Sequence, residues 1–130
     1  MLSPLQLAYV GDSVHALLVR TELVQQDKLV RDMHRAAAEA VSAVRQAKAL
    51  KYLFPLLTEE ETDIVRRGRN SHPHHGVPKS ASHADYAEAT GLEALLGYLY
   101  LTGQKERLIE LSSYFLGGYG KDDLPFDSET

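Results

Sequence analysis

The sequence predicts an all-α protein, and three observations support this prediction. Apolar residues recur every three or four positions through most of the chain, as they do along one face of a helix. Capping residues stand where these stretches begin, and glycines stand where several of them end. The alternation of apolar and polar residues that is typical of β-strands is not found in the sequence.

The first two helices are predicted from their starts. Ser3-Pro4-Leu5-Gln6 combines a capping serine, a proline at the first helical position and a glutamine at the third, and the apolar spacing continues to about Leu23. Asp27 can cap a second helix, which we expect to run to about Leu50. The expected apolar face of this second helix consists of Met33, Ala37, Val41, Val44 and Ala47.

The middle of the chain contains a second start signal and a break. After a short helical turn that ends near Pro55, Thr58-Glu59-Glu60-Glu61 forms a capping box with acids at the positive end of the helix dipole. We expect this helix to end near Arg67, with Gly68 as a left-handed stop. Residues 69–80 contain two prolines and a glycine without periodicity, so we expect an exposed loop.

Two more helices are predicted in the last third. Residues 82–102 are nearly all apolar beyond Ala89, which indicates a central helix, and Gly103 closes it. Residues 104–116 form an amphipathic pattern with three residues facing inward, namely Leu108, Leu111 and Phe115.

Length and composition predict one globular domain over residues 1–118 and an acidic, disordered tail over residues 119–130. The chain has no cysteine, which excludes disulfides, thiolate zinc sites and cysteine nucleophiles. No apolar run approaches the roughly 20 residues of a membrane span, and no signal peptide precedes Ser3. We therefore expect a cytoplasmic protein that does not bind membranes.

The charge is unevenly distributed. The formal net charge of −4 argues against a nucleic-acid-binding protein, but residues 66–82 contain four Arg or Lys residues and no acid. The local cluster consists of Arg66, Arg67, Arg69 and Asn70, with Lys79 further along. Guanidinium groups bind phosphates and Asn70 can reach a 2′-hydroxyl, so these residues are candidate contacts to double-stranded RNA. A solvated basic helix end is the alternative.

Two acids, Asp12 and Glu93, occupy positions on helical faces that are otherwise mostly apolar, so we expect both to be buried. An ionised acid on such a face costs on the order of several kcal/mol unless positive charge compensates it. If folding brings the two together, their oxygens suit a hard cation such as Mg²⁺. The alternatives are a capping or hydrogen-bonded role for Asp12 and an arginine partner for Glu93.

The histidines provide a competing hypothesis. A zinc site could form from imidazoles on the loop, but the spacing favours a solvated loop. We expect His15 and His34, which lie on helices, to make ordinary hydrogen bonds. The residues of this alternative site are His72, His74, His75 and His83.

At these residues the chain resembles the ribonuclease III family. Residues 9–14 (YVGDSV) are similar to the Gly-Asp core of its signature, and residues 90–101 (TGLEALLGYLYL) are similar to its second motif. The segments VSAVRQAKAL, LTEEETDIVRRGRNS and ATGLEALLGYLYL resemble the mini-ribonuclease III branch, over residues 2–111. Two acids of the full-length ribonuclease III signature are replaced by Leu5 and Ala8, and an acid of the second motif by Thr90, as in that branch.

The resemblance implies an all-α, ribonuclease III-like endonuclease domain that forms a homodimer and cuts double-stranded RNA with Mg²⁺. It implies that Asp12 and Glu93 are the catalytic and metal-binding acids, and that the basic residues after Arg66 hold the RNA. Members of this branch mature 23S ribosomal RNA precursors, and an auxiliary ribosomal protein is a possible partner. A non-catalytic helical RNA-binding or ribosome-assembly module, and a helical dimer that binds proteins, are the remaining alternatives.

Overall fold

A computed structural model describes residues 2–25, 29–40, 42–71 and 83–116. The regular elements in these ranges are all helical, which confirms the predicted all-α class. They are α1 (Pro4–Gln25), α2 (Val30–Ala40), α3 (Ala43–Leu53) with a 3₁₀ turn at Phe54–Leu56, α4 (Glu59–Asn70), α5 (His83–Leu101) and α6 (Lys105–Leu116).

Helix α5 is the centre of the fold, as its apolar sequence predicts. It packs most extensively against α1, then against α4 and α3. A helix that is apolar on all sides can be covered only by neighbours on several sides, because each exposed apolar face would lose the free energy of burial. Its fully buried core residues are Leu92, Ala94, Leu95, Leu96 and Leu99.

Glycines allow the neighbouring backbones to touch α5. A Cβ atom on Gly97 would lie 2.0 Å from the carbonyl oxygen of Leu7 in α1. A Cβ atom on Gly68 would lie 3.0 Å from the Cα atom of Gly91. Gly68 is therefore a buried contact within α4 and not the predicted helix stop, because α4 continues to Asn70.

The predicted second helix is two helices. Ser42 adopts an extended conformation (φ −63°, ψ 153°), and its hydroxyl accepts a hydrogen bond from the Arg45 backbone N–H. The break changes which face of the following helix points inward, so the predicted face is wrong after it: Val44 is exposed. The buried residues of α3 are instead Gln46, Ala49, Leu50 and Leu53. Asp27 and Val41 lie outside the described residues.

The predicted capping box of α4 is present and connects to α6. Thr58 donates its backbone N–H to Glu61 at 2.9 Å, and its hydroxyl accepts from the Glu61 backbone at 3.1 Å. The Arg107 guanidinium of α6 binds the same Glu61 carboxylate at 2.7 Å. That contact lowers the pKa of Glu61, although burial opposes it. The start of α4 is therefore fixed both locally and by α6.

The remaining helix ends agree with the sequence. Ser3 and Gln6 form the expected reciprocal hydrogen bonds at 2.8 and 3.2 Å, and Gly103 adopts a positive φ of 73° after α5. The three predicted inward residues of α6 are buried. Within the described ranges, no helix combines the length and apolarity that crossing a bilayer requires. Most of the predicted loop and the whole predicted tail lie outside those ranges.

Candidate metal centre between helices α1 and α5

Asp12 and Glu93 meet where α1 crosses α5. Gly11 makes the crossing possible, because a Cβ atom at this position would lie 1.7 Å from the carbonyl oxygen of Glu93. The close approach of the two backbones brings the carboxyl groups into a shared hydrogen bond. Folding thus joins two acids that are far apart in the sequence.

The two acids differ in exposure, and the sequence-based expectation that both are buried is wrong for Asp12. Glu93 is partly buried, whereas Asp12 is exposed together with its α1 neighbours Leu5 (46%) and Tyr9 (83%). Helical spacing identified a mostly apolar face correctly, but within the single chain that face of α1 is only partly covered. Asp12 and its apolar neighbours therefore form a surface.

The pKa of Glu93 is raised to about 8, first by burial and then by the hydrogen bond and the negative charge of Asp12. The Gln46 side chain opposes this rise by donating a hydrogen bond to Glu93. Among the described residues, neither acid forms an ion pair with a cation, so Glu93 does not have the arginine partner of the alternative hypothesis. Asp12 lies in mid-helix and does not cap a helix.

Gln46 is a site residue that was missed in the sequence. Its side chain is 3% exposed, and Nε2 donates to Oε2 of Glu93 across a long contact of 3.4 Å. Predicting one continuous helix placed Gln46 away from the apolar face. The available signal was Ser42, whose cap sets Gln46 in line with Ala49, Leu50 and Leu53.

The donor set at this crossing consists of carboxylate oxygens, which suit a hard divalent cation. Two carboxyl groups that share a hydrogen bond can both be ionised at neutral pH only if positive charge offsets the repulsion between the carboxylates. A divalent cation supplies this positive charge. The described residues contain no cluster of three or more histidine or acidic side chains that could hold a metal. Further ligands would therefore have to be water and substrate oxygens.

The histidines do not extend this site in the part of the chain that is described. His15 is fully buried, and neither ring nitrogen has a hydrogen-bond partner there, so the expected ordinary hydrogen bond is wrong. Its ring lies 5.8 Å from that of Phe115, and burial lowers its pKa to about 4, with Asp12 opposing the shift. His83 is exposed at the start of α5, while His72, His74 and His75 lie outside the described residues.

The basic cluster belongs to the end of α4 and not to a loop. Arg66, Arg67 and Asn70 are exposed, and Arg69 is half-buried. Arg66 binds Asp63 at 3.3 Å, with both side chains more than half exposed. Lys79 lies outside the described residues.

Arg66 and Arg69 line different clefts. Arg66 lines a cleft of about 760 Å³ between α4 and α6, where Glu60 accepts a hydrogen bond from the Tyr98 hydroxyl. Arg69 lines a cleft of about 620 Å³ beside α3, binds Glu88 at 3.1 Å and lies 5.6 Å above the Phe54 ring. Arg66 and Arg69 of the predicted basic cluster thus lie on two sides of α4.

Comparison with known proteins identifies the family of this chain. The family model of the ribonuclease III domain matches residues 5–104. The chain is 53% identical to mini-ribonuclease 3 of Symbiobacterium thermophilum over 111 residues, which cover 85% of each protein. It is 41% identical to mini-ribonuclease 3 of Desulfitobacterium hafniense over 137 residues, which cover 99% of this chain and 86% of the relative.

A crystal structure of a Fusobacterium nucleatum protein has a similar fold. The TM-score is 0.78 at 29% sequence identity, and the match covers 85% of this chain and 88% of that one. The family model and the Desulfitobacterium hafniense relative, which covers 99% of this chain, both extend over the α1–α5 crossing. The chain therefore belongs to the ribonuclease III family, in its mini-ribonuclease III branch, a family of endoribonucleases that act on double-stranded RNA.

Proposed function

We propose that this endoribonuclease cuts double-stranded RNA with Mg²⁺ held by Asp12 and Glu93. One observation carries the assignment: the two carboxyl groups meet at the α1–α5 crossing without a protein cation among the described residues. Ionisation of both acids is unfavourable in the protein alone and becomes favourable when a divalent cation binds, because the cation offsets both negative charges.

The two acids have different tasks in this proposal. Glu93, partly buried on the rigid central helix, sets the position of the metal. Asp12, exposed at the surface, faces the approaching phosphate group. When bound, Mg²⁺ supplies Lewis acidity that activates water and offsets charge on the scissile phosphate and the leaving oxygen. The expected products carry 5′-phosphate and 3′-hydroxyl ends.

The exposed end of α4 is the proposed RNA contact. Arg66, Arg67 and Asn70 are accessible there, and cationic side chains that bind phosphates provide affinity that is independent of sequence and weakens with salt. Arg69 contributes less in this proposal, because Glu88 already binds its guanidinium group. Lys79 remains part of the predicted contact.

We also propose that the active form is a homodimer. Exposed apolar side chains lie at helical spacing from both acids: Leu5 and Tyr9 precede Asp12, and Tyr100 (58% exposed) follows Glu93. An exposed apolar surface of this kind favours contact with another protein, and a two-fold dimer matches the pseudo-two-fold symmetry of an RNA duplex. Each of the two sites would then act on one strand.

The proposed substrate is the 23S ribosomal RNA precursor in the cytoplasm, with a ribosomal protein as a possible auxiliary partner. This part of the proposal rests on the similarity to mini-ribonuclease III proteins. It would be tested by incubating the protein with duplexes that correspond to the paired ends of that precursor and with unrelated duplexes of equal length.

The decisive experiment uses labelled duplex RNA, with Mg²⁺ or with a chelator. Asp12→Asn and Glu93→Gln should each abolish cleavage and leave duplex binding largely intact, because they remove charge but little volume. Glu106→Gln, an exposed acid on α6, is the control and should cut normally. Cleavage by Glu93→Gln at a rate near that of the wild type would disprove the assignment. Metal-independent binding without cleavage by the wild type would indicate an RNA-binding module instead.

A further inference from the structure

Gln46 occupies a position where a polar side chain needs a specific reason to be present. It is 3% exposed, and the next inward positions of α3, Ala49 and Leu50, are fully buried. Burying an amide without good hydrogen bonds costs on the order of a few kcal/mol. An apolar residue would be the simpler choice for core packing alone.

The Gln46 amide reaches the acid pair from a third helix. Nε2 donates to Oε2 of Glu93 at 3.4 Å, while the Glu93 carboxyl group also shares its hydrogen bond with Asp12. Helix α3 packs extensively on α5, and this packing fixes the position of the Gln46 backbone relative to Glu93. The Glu93 side chain is thus held by contacts from both α1 and α3.

We infer that Gln46 is a positioning residue, whose amide holds the Glu93 carboxylate beside Asp12 in the orientation that a divalent cation needs. This inference rests on the proposed function of the acid pair. A glutamate has several rotatable bonds, and fixing them in advance reduces the entropy lost when the metal binds.

The chemistry of the amide explains why glutamine suits this position. A lysine or arginine here would neutralise the acids and compete with the cation, and another carboxylate would add repulsion. A neutral amide donates a hydrogen bond to one oxygen and leaves the negative charge of the pair available. Such outer contacts to metal ligands typically change metal affinity or activity by about 10- to 100-fold.

The test compares two Gln46 variants with a packing control on the same helix. Gln46→Met removes the donor at similar volume, and Gln46→Asn keeps an amide but withdraws it by one methylene group. Leu50→Val, one turn further along α3, reduces core packing and keeps the Gln46 amide. Binding of Mn²⁺ to the full chain without RNA is measured by electron paramagnetic resonance, and cleavage is measured as a function of Mg²⁺ concentration.

Both Gln46 variants should bind Mn²⁺ at least about tenfold more weakly, and the half-saturating Mg²⁺ concentration for cleavage should rise by a similar factor. Their cleavage rate at saturating Mg²⁺ and their duplex binding in chelator should remain near those of the wild type. Leu50→Val should keep its Mn²⁺ affinity, although it is less stable. If Gln46→Met does not fold, Gln46→Asn still provides the comparison.

Unchanged Mn²⁺ affinity in the Gln46 variants, or a loss no larger than that of Leu50→Val, would overturn the inference. Failure of the proposed function would look different: Glu93→Gln would bind Mn²⁺ as well as the wild type does. The two failures are therefore distinguishable in one set of titrations.

Discussion

Gly11 of α1 lies directly against the Glu93 carbonyl group of α5, so that a single methyl group at position 11 would lie 1.7 Å from that oxygen. This contact places Asp12, the next residue, beside the Glu93 side chain. The distance between the two helices and the distance between the two acids are therefore set by the same contact.

Gly11→Ala should separate α1 from α5 and damage both stability and the site. Overpacking in a closed core costs about 1–3 kcal/mol and occasionally more, and here the obstacle is backbone, which cannot rotate away. We expect a loss of stability at or above the upper end of this range, together with weaker Mn²⁺ binding. Urea denaturation and Mn²⁺ titration measure the two effects. Ser13→Ala, at an exposed position of α1, should change neither.

Glu93 should make the metal-free protein less stable as the pH rises. Its pKa is about 8 in the folded chain and 4.5 by reference, so the folded state holds the extra proton between these values. The contribution of Glu93 to the free energy of unfolding should therefore fall from about pH 4.5 to pH 8, and the net fall should be clearest above pH 6.5, where His15 no longer opposes it. Glu93→Gln, or saturating Mg²⁺, should remove most of this slope in urea titrations. A slope that persists in Glu93→Gln would assign it to another group.

His15 should produce the opposite dependence at lower pH. Its pKa is about 4 in the folded chain against 6.5 by reference, so the unfolded state binds the extra proton between these values. The contribution of His15 to the free energy of unfolding is fully present above pH 6.5 and decreases as the pH falls towards 4. Between pH 4.5 and 6.5 it opposes the effect of Glu93, which gives a broad maximum there.

His15→Leu tests this account directly. The substitution should reduce the loss of stability between pH 6.5 and 4, and at pH 7 it should be neutral or stabilising by up to about 2 kcal/mol, because it removes a buried polar ring that lacks hydrogen bonds among the described residues. Urea midpoints at several pH values provide the measurement. A clear loss at pH 7 would indicate that the ring nitrogens have partners.

Arg107→Met should cost about 3–5 kcal/mol, because it leaves the buried Glu61 carboxylate without its ion pair. Glu110→Gln removes the more exposed partner of the same arginine and should cost less than about 1 kcal/mol. Thermal denaturation compares the two. The double variant Arg107→Met, Glu61→Gln should recover part of the loss; if it does not, the ion pair is not the cause.

Arg66 and Arg69 should differ in what their removal changes. In a Glu93→Gln background, Arg66→Gln should weaken duplex binding and reduce the slope of log K against log salt by about one. Arg69→Gln should have a smaller effect on binding and a larger effect on stability, because it releases Glu88 and Phe54. Arg20→Gln, an exposed cation on α1, is the control. Equal salt slopes for Arg66→Gln and Arg69→Gln would contradict the prediction that Arg66 contributes more than Arg69 to RNA binding.

Local signals were sufficient for much of the fold. The capping box at Thr58, the reciprocal bonds of Ser3 and Gln6, and the positive φ of Gly103 all depend on residues within one turn of each other. The second helix was predicted less well, because the apolar spacing continues across Ser42 while the cap interrupts the helix. The local hydrogen bond between Ser42 and Arg45 starts a new helix there, although the apolar spacing predicts a continuous one.

The amino-acid pattern alone predicts that the chain is helical, that α5 is central, and that two acids stand on mostly apolar faces. The exposure of Asp12, its contact with Glu93 and the approach of Gln46 from α3 depend instead on how the helices pack. Periodicity orients a residue relative to its own helix axis. It carries no information on the distance or angle between helices, which depends on contacts such as Gly11 with Glu93 between residues remote in the chain.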